Sequence, residues 1–326
     1  MLAFTLSLIV SFLLILFFKT IALKFNLLIS KEKIPYTGGM GLSLGCIFVY
    51  LLNIFIKGIN LPRDFSLIIF FSFIILLVEL VDDIKEFSLR VRLIIQILVI
   101  GLFIILGKKI EIYFLPHWLN WLLSFLWVMG ITNAFNHLDI EDGVCGGVSL
   151  ISSLIFWFIF ILQKNYNLSL FFATLSGAII SFLFFNLPPA KVFMGNSGSH
   201  FLGFILGAVS IYGDYATLFN PLAITLPLFV LFFPLVDTLF LIVARLKRGI
   251  NPMCKSDDHI FLRLLSWQKD KRKNLIRIYF VSLLWGITGI TSLGGGNWFI
   301  FYFSLLISVL FTLRIILKAH LAHPNG

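Results

Sequence analysis

Residues 185–203 read FNLPPAKVFMGNSGSHFLG, a short polar, glycine-rich run between two strongly apolar segments near 168–187 and 200–213. The same alternation of long apolar run and short polar loop repeats along the whole chain, and it decides the fold class. The 326 residues are 60% hydrophobic and only 12% are charged, with a mean hydropathy of +1.03. A soluble domain carries charge on about a quarter of its residues, so the chain reads as an integral membrane protein. Its apolar runs are long enough for helices, which need roughly 20 residues to cross the hydrocarbon core. They lack the ten-residue alternation of a membrane β-barrel. The expected architecture is all-α, a polytopic membrane helical bundle forming one domain over residues 1–326.

Hydropathy gives about eleven candidate spans, near 1–18, 38–56, 65–81, 93–107, 118–135, 147–163, 168–187, 200–213, 221–243, 275–292 and 297–317. The fourth and eighth are short. The first lacks a basic start and a small-residue cleavage site, so it reads as a retained helix. Orientation follows from Lys and Arg. With the N-terminus outside, twenty of the 25 basic residues fall inside, ten of them between Arg245 and Arg277, and five fall outside. That asymmetry predicts an N-out, C-in topology with a basic cytoplasmic loop over 245–277. Topology and contact with anionic membrane lipids account for the net charge of +10, and nucleic-acid binding is not needed. Cys46, Cys145 and Cys254 are far apart, show no metal spacing and read as structural.

The acidic residues at or near membrane depth are few. Glu79, Asp82 and Asp83 lie in ELVDDIKEFSLRVRLIIQ, Asp139, Glu141 and Asp142 in NAFNHLDIEDGVCGG, and Asp237 in PLVDTL. Ionisable groups there are costly and mark functional cavities or pairs. The predicted topology puts the Asp82/Asp83, Asp139/Asp142, Asn196 and His259 loops on one face, the cytoplasmic one. A site for a charged cytosolic substrate beside the bilayer is the expected consequence. Adjacent Asp82 and Asp83 suit Mg²⁺, which keeps oxygen ligands and bridges phosphates; a solvated helix end beside Lys85 is the alternative. Asn133, Asn136, Asp139 and Asp142 recur every three residues and offer a surface for a base, sugar or metal. The alternative is a helix C-terminus stopped at Gly143. Gly195, Ser197, Gly198 and Ser199, following Lys191, suit a phosphate at a helix start, or form a plain re-entry loop. Arg245, Lys247, Arg248, Lys255, His259 and Arg263 could clamp a pyrophosphate, or only set topology.

Taken together, these motifs resemble the polyprenyl-phosphate N-acetylhexosamine-1-phosphate transferases, which include phospho-MurNAc-pentapeptide translocase and the initiators of O-antigen synthesis. PYTGGMGL (35–42) is similar to the family's early Pro-Thr-Gly-Gly motif, and VDDIKEFSLRVRLIIQ to its Asp-Asp motif. NAFNHLDIEDGVCGG is similar to Asn-Asn-Asp-Gly-Asp-Gly, and FMGNSGS to Phe-Met-Gly-Asp-Gly-Ser. The resemblance implies transfer of a sugar-1-phosphate, an N-acetylated amino sugar, from a UDP-sugar to undecaprenyl phosphate. UMP leaves, with Mg²⁺ (or Mn²⁺) as cofactor, at the cytoplasmic face of a bacterial inner membrane. The product would start a cell-envelope glycan. It implies catalytic roles for Asp82, Asp83 and Asp139, and metal roles for Asn196, Asp82 and Asp139. Substrate contacts would come from Asn133, Asn136, Asp142, Lys191, Phe193, His259 and Arg263. Homodimers occur in the family.

Three departures stand out. Asn196 occupies the position of the family's metal-ligand Asp, Phe261 and Leu262 follow His259 where many members carry histidines, and Glu141 is an additional acid. They leave two readings: a transferase with altered sugar preference, or an impaired homologue that binds polyprenyl phosphate or UDP-sugar or scaffolds a partner. A lipid flippase is disfavoured, because the sequence shows no inverted-repeat symmetry.

Overall fold

The computed structural model describes residues 2–213, 215, 220–249, 251, 257–293 and 298–321; Cys254 and Lys255 lie outside these. Among them the chain is helical with no strand, only an isolated bridge between Ile29 and Pro35. In hydrocarbon every backbone N–H and C=O must be satisfied within its own segment, which leaves helices as the solution for these apolar runs.

The chain forms two compact units, residues 1–214 and 215–326. The first holds α1 (Leu2–Phe25), α2 (Gly38–Lys57), α3 (Arg63–Lys85), α4 (Leu89–Leu106), α5 (His117–Leu138), α6 (Val144–Leu162), α7 (Tyr166–Asn186) and α8 (Gly195–Tyr212). The second holds a 3₁₀ turn (Pro221–Thr225), α9 (Leu226–Val230), α10 (Phe232–Lys247), α11 (Ile260–Trp267), α12 (Lys271–Ser292) and α13 (Trp298–Leu321).

Small residues set the packing of the first unit. Lipid gives no hydrophobic drive between helices, so close backbone approach takes over. Gly41 and Gly45, one turn apart on α2, lie against Ile15 and Ser11 of α1, where a Cβ would collide. Gly39 of α2 and Gly198 of α8 exclude a Cβ on each other in the same way. Ser181 of α7 donates to the Leu8 carbonyl of α1.

Nine described helices are long and apolar enough to cross a membrane, or ten if the bent pair of the second unit counts as one span. The two differences from the eleven hydropathy segments have physical causes. The eighth segment is helical, but α8 begins at Gly195 with a polar first turn and is buried along nearly its whole length. It packs on α2, α3, α5 and α6 and meets protein where a span would meet lipid. The ninth is broken. Its two helical parts meet at 64°, with Pro227 at the start of α9 and Pro234 early in α10; proline removes a helical N–H.

In the second unit α12 and α13 run antiparallel. Thr291–Ser304 at 3.1 Å, Thr288–Ser308 at 3.0 Å and Trp285 Nε1 to Thr312 at 2.7 Å step down the pair in opposite residue order. The Lys271 end of α12 therefore lies beside the Leu321 end of α13.

Candidate active site

The first-unit site forms where the last turn of α3 meets the first turn of α8. Helix α3 runs to Lys85, so Asp82 and Asp83 belong to its final turn. The first N–H groups of a helix have no partner within it and favour an anion. At α8 that anion is Asp83: its Oδ1 accepts from Asn196 N at 2.9 Å and its Oδ2 from Ser197 N at 3.0 Å. The glycine-rich turn offers its N–H groups to a carboxylate of the chain itself. Gly195 (φ +79°) makes the turn possible, since such a backbone strains any residue with a Cβ.

Asp82 faces other partners. Its Oδ1 accepts from Phe87 N at 2.8 Å. Its Oδ2 accepts from Asn196 Nδ2 at 3.1 Å and from Arg92 Nη1 at 3.2 Å. The Asp82–Asn196–Arg92 group is thus charge-neutral, with Asp82 only 4% exposed.

The 35–39 segment is laced to the same turn through Phe193 N to Pro35 O (2.9 Å), Gly38 N to Phe193 O (3.0 Å) and Gly39 N to Met194 O (2.9 Å). Tyr36 packs against Phe193 with ring centroids 5.5 Å apart. Its hydroxyl pKa is raised by burial and then by Glu32, Asp139, Asp83 and Glu86.

Asp139 caps the end of α5. Burial, then the charges of Asp83 and Asp142, push its carboxyl up to about 7. Asp142 accepts from Ala190 N at 3.0 Å, and Asn136 accepts from Ser199 Oγ at 3.0 Å. Asn133 donates within its own helix, to Met129 O at 2.9 Å. Lys191 is exposed and Phe193 half-exposed.

Two contributors escaped the sequence reading. Asn186 ties the loop together, accepting from Gly143 N at 2.9 Å and donating to Val192 O at 3.1 Å. Below the site lies a buried polar trio. Gln96 Nε2 donates to Glu79 Oε1 at 2.8 Å. His200 Nδ1 sits 2.9 Å from Asn196 O and 3.4 Å from Glu79 Oε2. Glu79 Oε2, Gln96 Oε1 and His200 Nε2 have no hydrogen-bond partner among the described residues.

His259 and Arg263 belong to the second unit and form their own cluster. Asp237 Oδ2 is 2.8 Å from His259 Nδ1, and its Oδ1 accepts from Ile260 N at 2.8 Å, at the start of α11. Asp258 accepts from Arg263 at 2.8 Å and from Arg248 at 2.8 and 3.0 Å. Arg263 stands 5.1 Å over the Phe240 ring. Phe261 is buried beneath, in a position where a histidine would meet core.

The sequence pattern of the family described as "Glycosyl transferase family 4" matches residues 65–214, from α3 through α8. The chain is 30% identical over 286 residues to the probable undecaprenyl-phosphate N-acetylglucosaminyl 1-phosphate transferase of Bacillus subtilis, covering 84% of this chain and 77% of that protein. It is 32% identical over 282 residues to the undecaprenyl-phosphate alpha-N-acetylglucosaminyl 1-phosphate transferase of Thermotoga maritima, covering 84% of each. This chain belongs to glycosyl transferase family 4. A shorter match, 32% over 196 residues, is to the decaprenyl-phosphate N-acetylglucosaminephosphotransferase of Mycolicibacterium smegmatis, covering 54% of this chain and 46% of that protein.

Among the described residues no three His, Cys, Asp or Glu side chains make a metal cage. Mg²⁺ keeps several waters and needs only one or two carboxylates. The donors are hard oxygens, and after burial the charge of Asp83 raises the pKa of Asp139, so these two carboxylates fit one hydrated cation. Of the three expected ligands, Asp82 and Asn196 are hydrogen-bonded to each other.

Proposed function

We propose that this chain transfers a sugar-1-phosphate, that of an N-acetylated amino sugar, from a UDP-sugar to undecaprenyl phosphate. UMP is released and a cell-envelope glycan is begun. The observation that carries this reading is the α3–α8 junction, where Asp83 of α3 holds the start of α8 and lies near enough to Asp139 to raise its pKa. Family membership and the two long matches support the substrate class. The one-sided distribution of Lys and Arg supports a site facing the cytoplasm of a bacterial inner membrane.

The reaction joins two anions, so phosphate repulsion must be offset. A Mg²⁺ held by Asp83 and Asp139 would supply that positive charge. The residues of the chain do the rest. Asp83 fixes the start of α8, and Asp82, locked by Phe87, Arg92 and Asn196, fixes the α3–α4 corner. Tyr36 and Phe193 present a packed aromatic pair against which uracil can stack. Asn136 and Asp142, held by Ser199 and Ala190, line the route for the sugar nucleotide. Lys191 is an exposed cation for its diphosphate. In the second unit His259 is oriented by Asp237 and Arg263 by Asp258.

The test is transfer from a panel of labelled UDP-N-acetyl amino sugars to undecaprenyl phosphate, using the purified chain with Mg²⁺ or Mn²⁺. Lipid-linked sugar phosphate and UMP in equal amounts are expected. No product across the panel would leave a substrate-binding homologue as the better reading, which the uncharged Asn196 favours.

A further inference from the structure

The second unit carries a basic-rimmed groove between α12 and α13. A groove of about 310 Å³ is lined by Ile276, Phe280, Phe311 and Ile315, with Arg277, Arg314 and Lys318 beside them. Arg277 is in the second turn of α12 and the other two are in the last two turns of α13, so the antiparallel pairing brings all three cations to one end. Trp267 gathers two of them. Lys318 Nζ stands 4.3 Å and the Arg277 guanidinium 5.2 Å from its ring centroid. Arg277 is also held from behind, donating to Asn274 Oδ1 at 2.7 Å and to Gln268 Oε1. Arg314 and Lys318 form no ion pair among the described residues. The acid of the neighbouring turn, Asp270, is paired with Lys273 at 3.3 Å.

Three cations converging without a carboxylate need an anion. The groove beneath them is apolar and opens on helix faces whose Ile276, Leu310, Leu313 and Leu317 are exposed, faces that in a membrane meet lipid. One molecule satisfies both halves, a phosphate group carrying a hydrocarbon chain. Basic pockets between transmembrane helices bind anionic headgroups in this way, and a tryptophan at headgroup depth is the usual companion. We propose that this groove binds an anionic phospholipid, its phosphodiester between Arg277, Arg314 and Lys318 and one acyl chain against Phe280 and Phe311. Bulk phospholipid is the assigned occupant, ahead of the reaction's own acceptor, because the groove opens on the lipid-facing surface. The proposal does not rest on the transfer reaction.

The test uses the full chain purified in detergent and challenged with equal amounts of phosphatidylglycerol and phosphatidylcholine of matched chains, with bound lipid counted by native mass spectrometry. At least fivefold enrichment of phosphatidylglycerol is expected. The Arg314→Gln/Lys318→Gln double variant should lose it, while Arg272→Gln, an exposed cation outside the groove, should keep it. Equal retention of both lipids, or a preference that survives the double variant, would overturn the site. Undecaprenyl phosphate is the third competitor. If it displaces phosphatidylglycerol stoichiometrically from the parent and does not itself bind the double variant, the groove belongs to the acceptor and the assignment to bulk lipid is wrong.

Discussion

At the α3–α8 junction Asp83 takes the first N–H groups of α8, and at the α10–α11 junction Asp237 takes the first N–H of α11. The two corners share a device and differ in charge. In the second unit each of these acids has a cationic or imidazole partner, Asp237 with His259 and Asp258 with Arg248 and Arg263. In the first unit Asp82 has Arg92, whereas Asp139 is buried and feels the negative charges of Asp83 and Asp142. The second corner is complete as folded, and the first is short of positive charge. On the proposed reading the first corner, by itself, is the one that would take a cation.

The comparison breaks most visibly at Asp83. Asp83→Asn keeps the shape, loses the charge and weakens the α8 start. Transfer is expected to fall on the order of 10²–10³-fold, alongside a loss of about 1 kcal/mol of stability from the weakened cap, read by steady-state kinetics and thermal unfolding. Unchanged kcat would remove Asp83 from the site. In the second unit Asp237→Asn should cost less. A hydrogen bond to a charged partner contributes roughly 1.5–3 kcal/mol, so about ten- to a hundredfold in kcat/KM is expected. Phe193→Leu tests the aromatic pair. An aromatic pair adds about 0.5–1.5 kcal/mol beyond area, so KM for the UDP-sugar should rise about fivefold with kcat held; a fall in kcat alone would contradict stacking on the base.

The smallest effect concerns pH. Asp139 is held near 7 in the fold against about 3.9 in an unfolded chain. Between those values the folded state binds more protons, so this group's contribution to stability falls as pH rises through the window. In EDTA, Asp139→Asn should melt like the parent near pH 4 and a few degrees higher near pH 8. A constant offset at all pH values would mean that Asp139 does not titrate as described.

The helices were legible because apolar length dictates them, and the acidic motifs because carboxylates at span ends are rare. What stayed hidden depends on partners far along the chain. Glu79 finds Gln96 on α4 and His200 on α8, and Asn186 finds Gly143; a lone polar residue in an apolar run does not announce its partner. Hydropathy starts the eighth segment near residue 200 because it treats the surroundings as lipid, whereas α8 begins at Gly195 and is surrounded by protein. The expected metal set of Asn196, Asp82 and Asp139 was drawn from motif positions. In the fold Asn196 donates to Asp82, and no spacing rule shows on which side of a turn an amide points.

Asn196 is where the account is most exposed. An aspartate there would bring a second carboxylate to the position from which Asn196 Nδ2 now bonds Asp82 at 3.1 Å. The measurement is the initial rate of UMP release across a Mg²⁺ titration for the parent chain and for Asn196→Asp. If the cation belongs with Asp83 and Asp139, the variant is expected to be at least tenfold slower at each Mg²⁺ concentration. A variant that is faster, or that saturates at lower Mg²⁺, would place the cation on Asp82 and residue 196 and contradict the proposed assignment to Asp83 and Asp139.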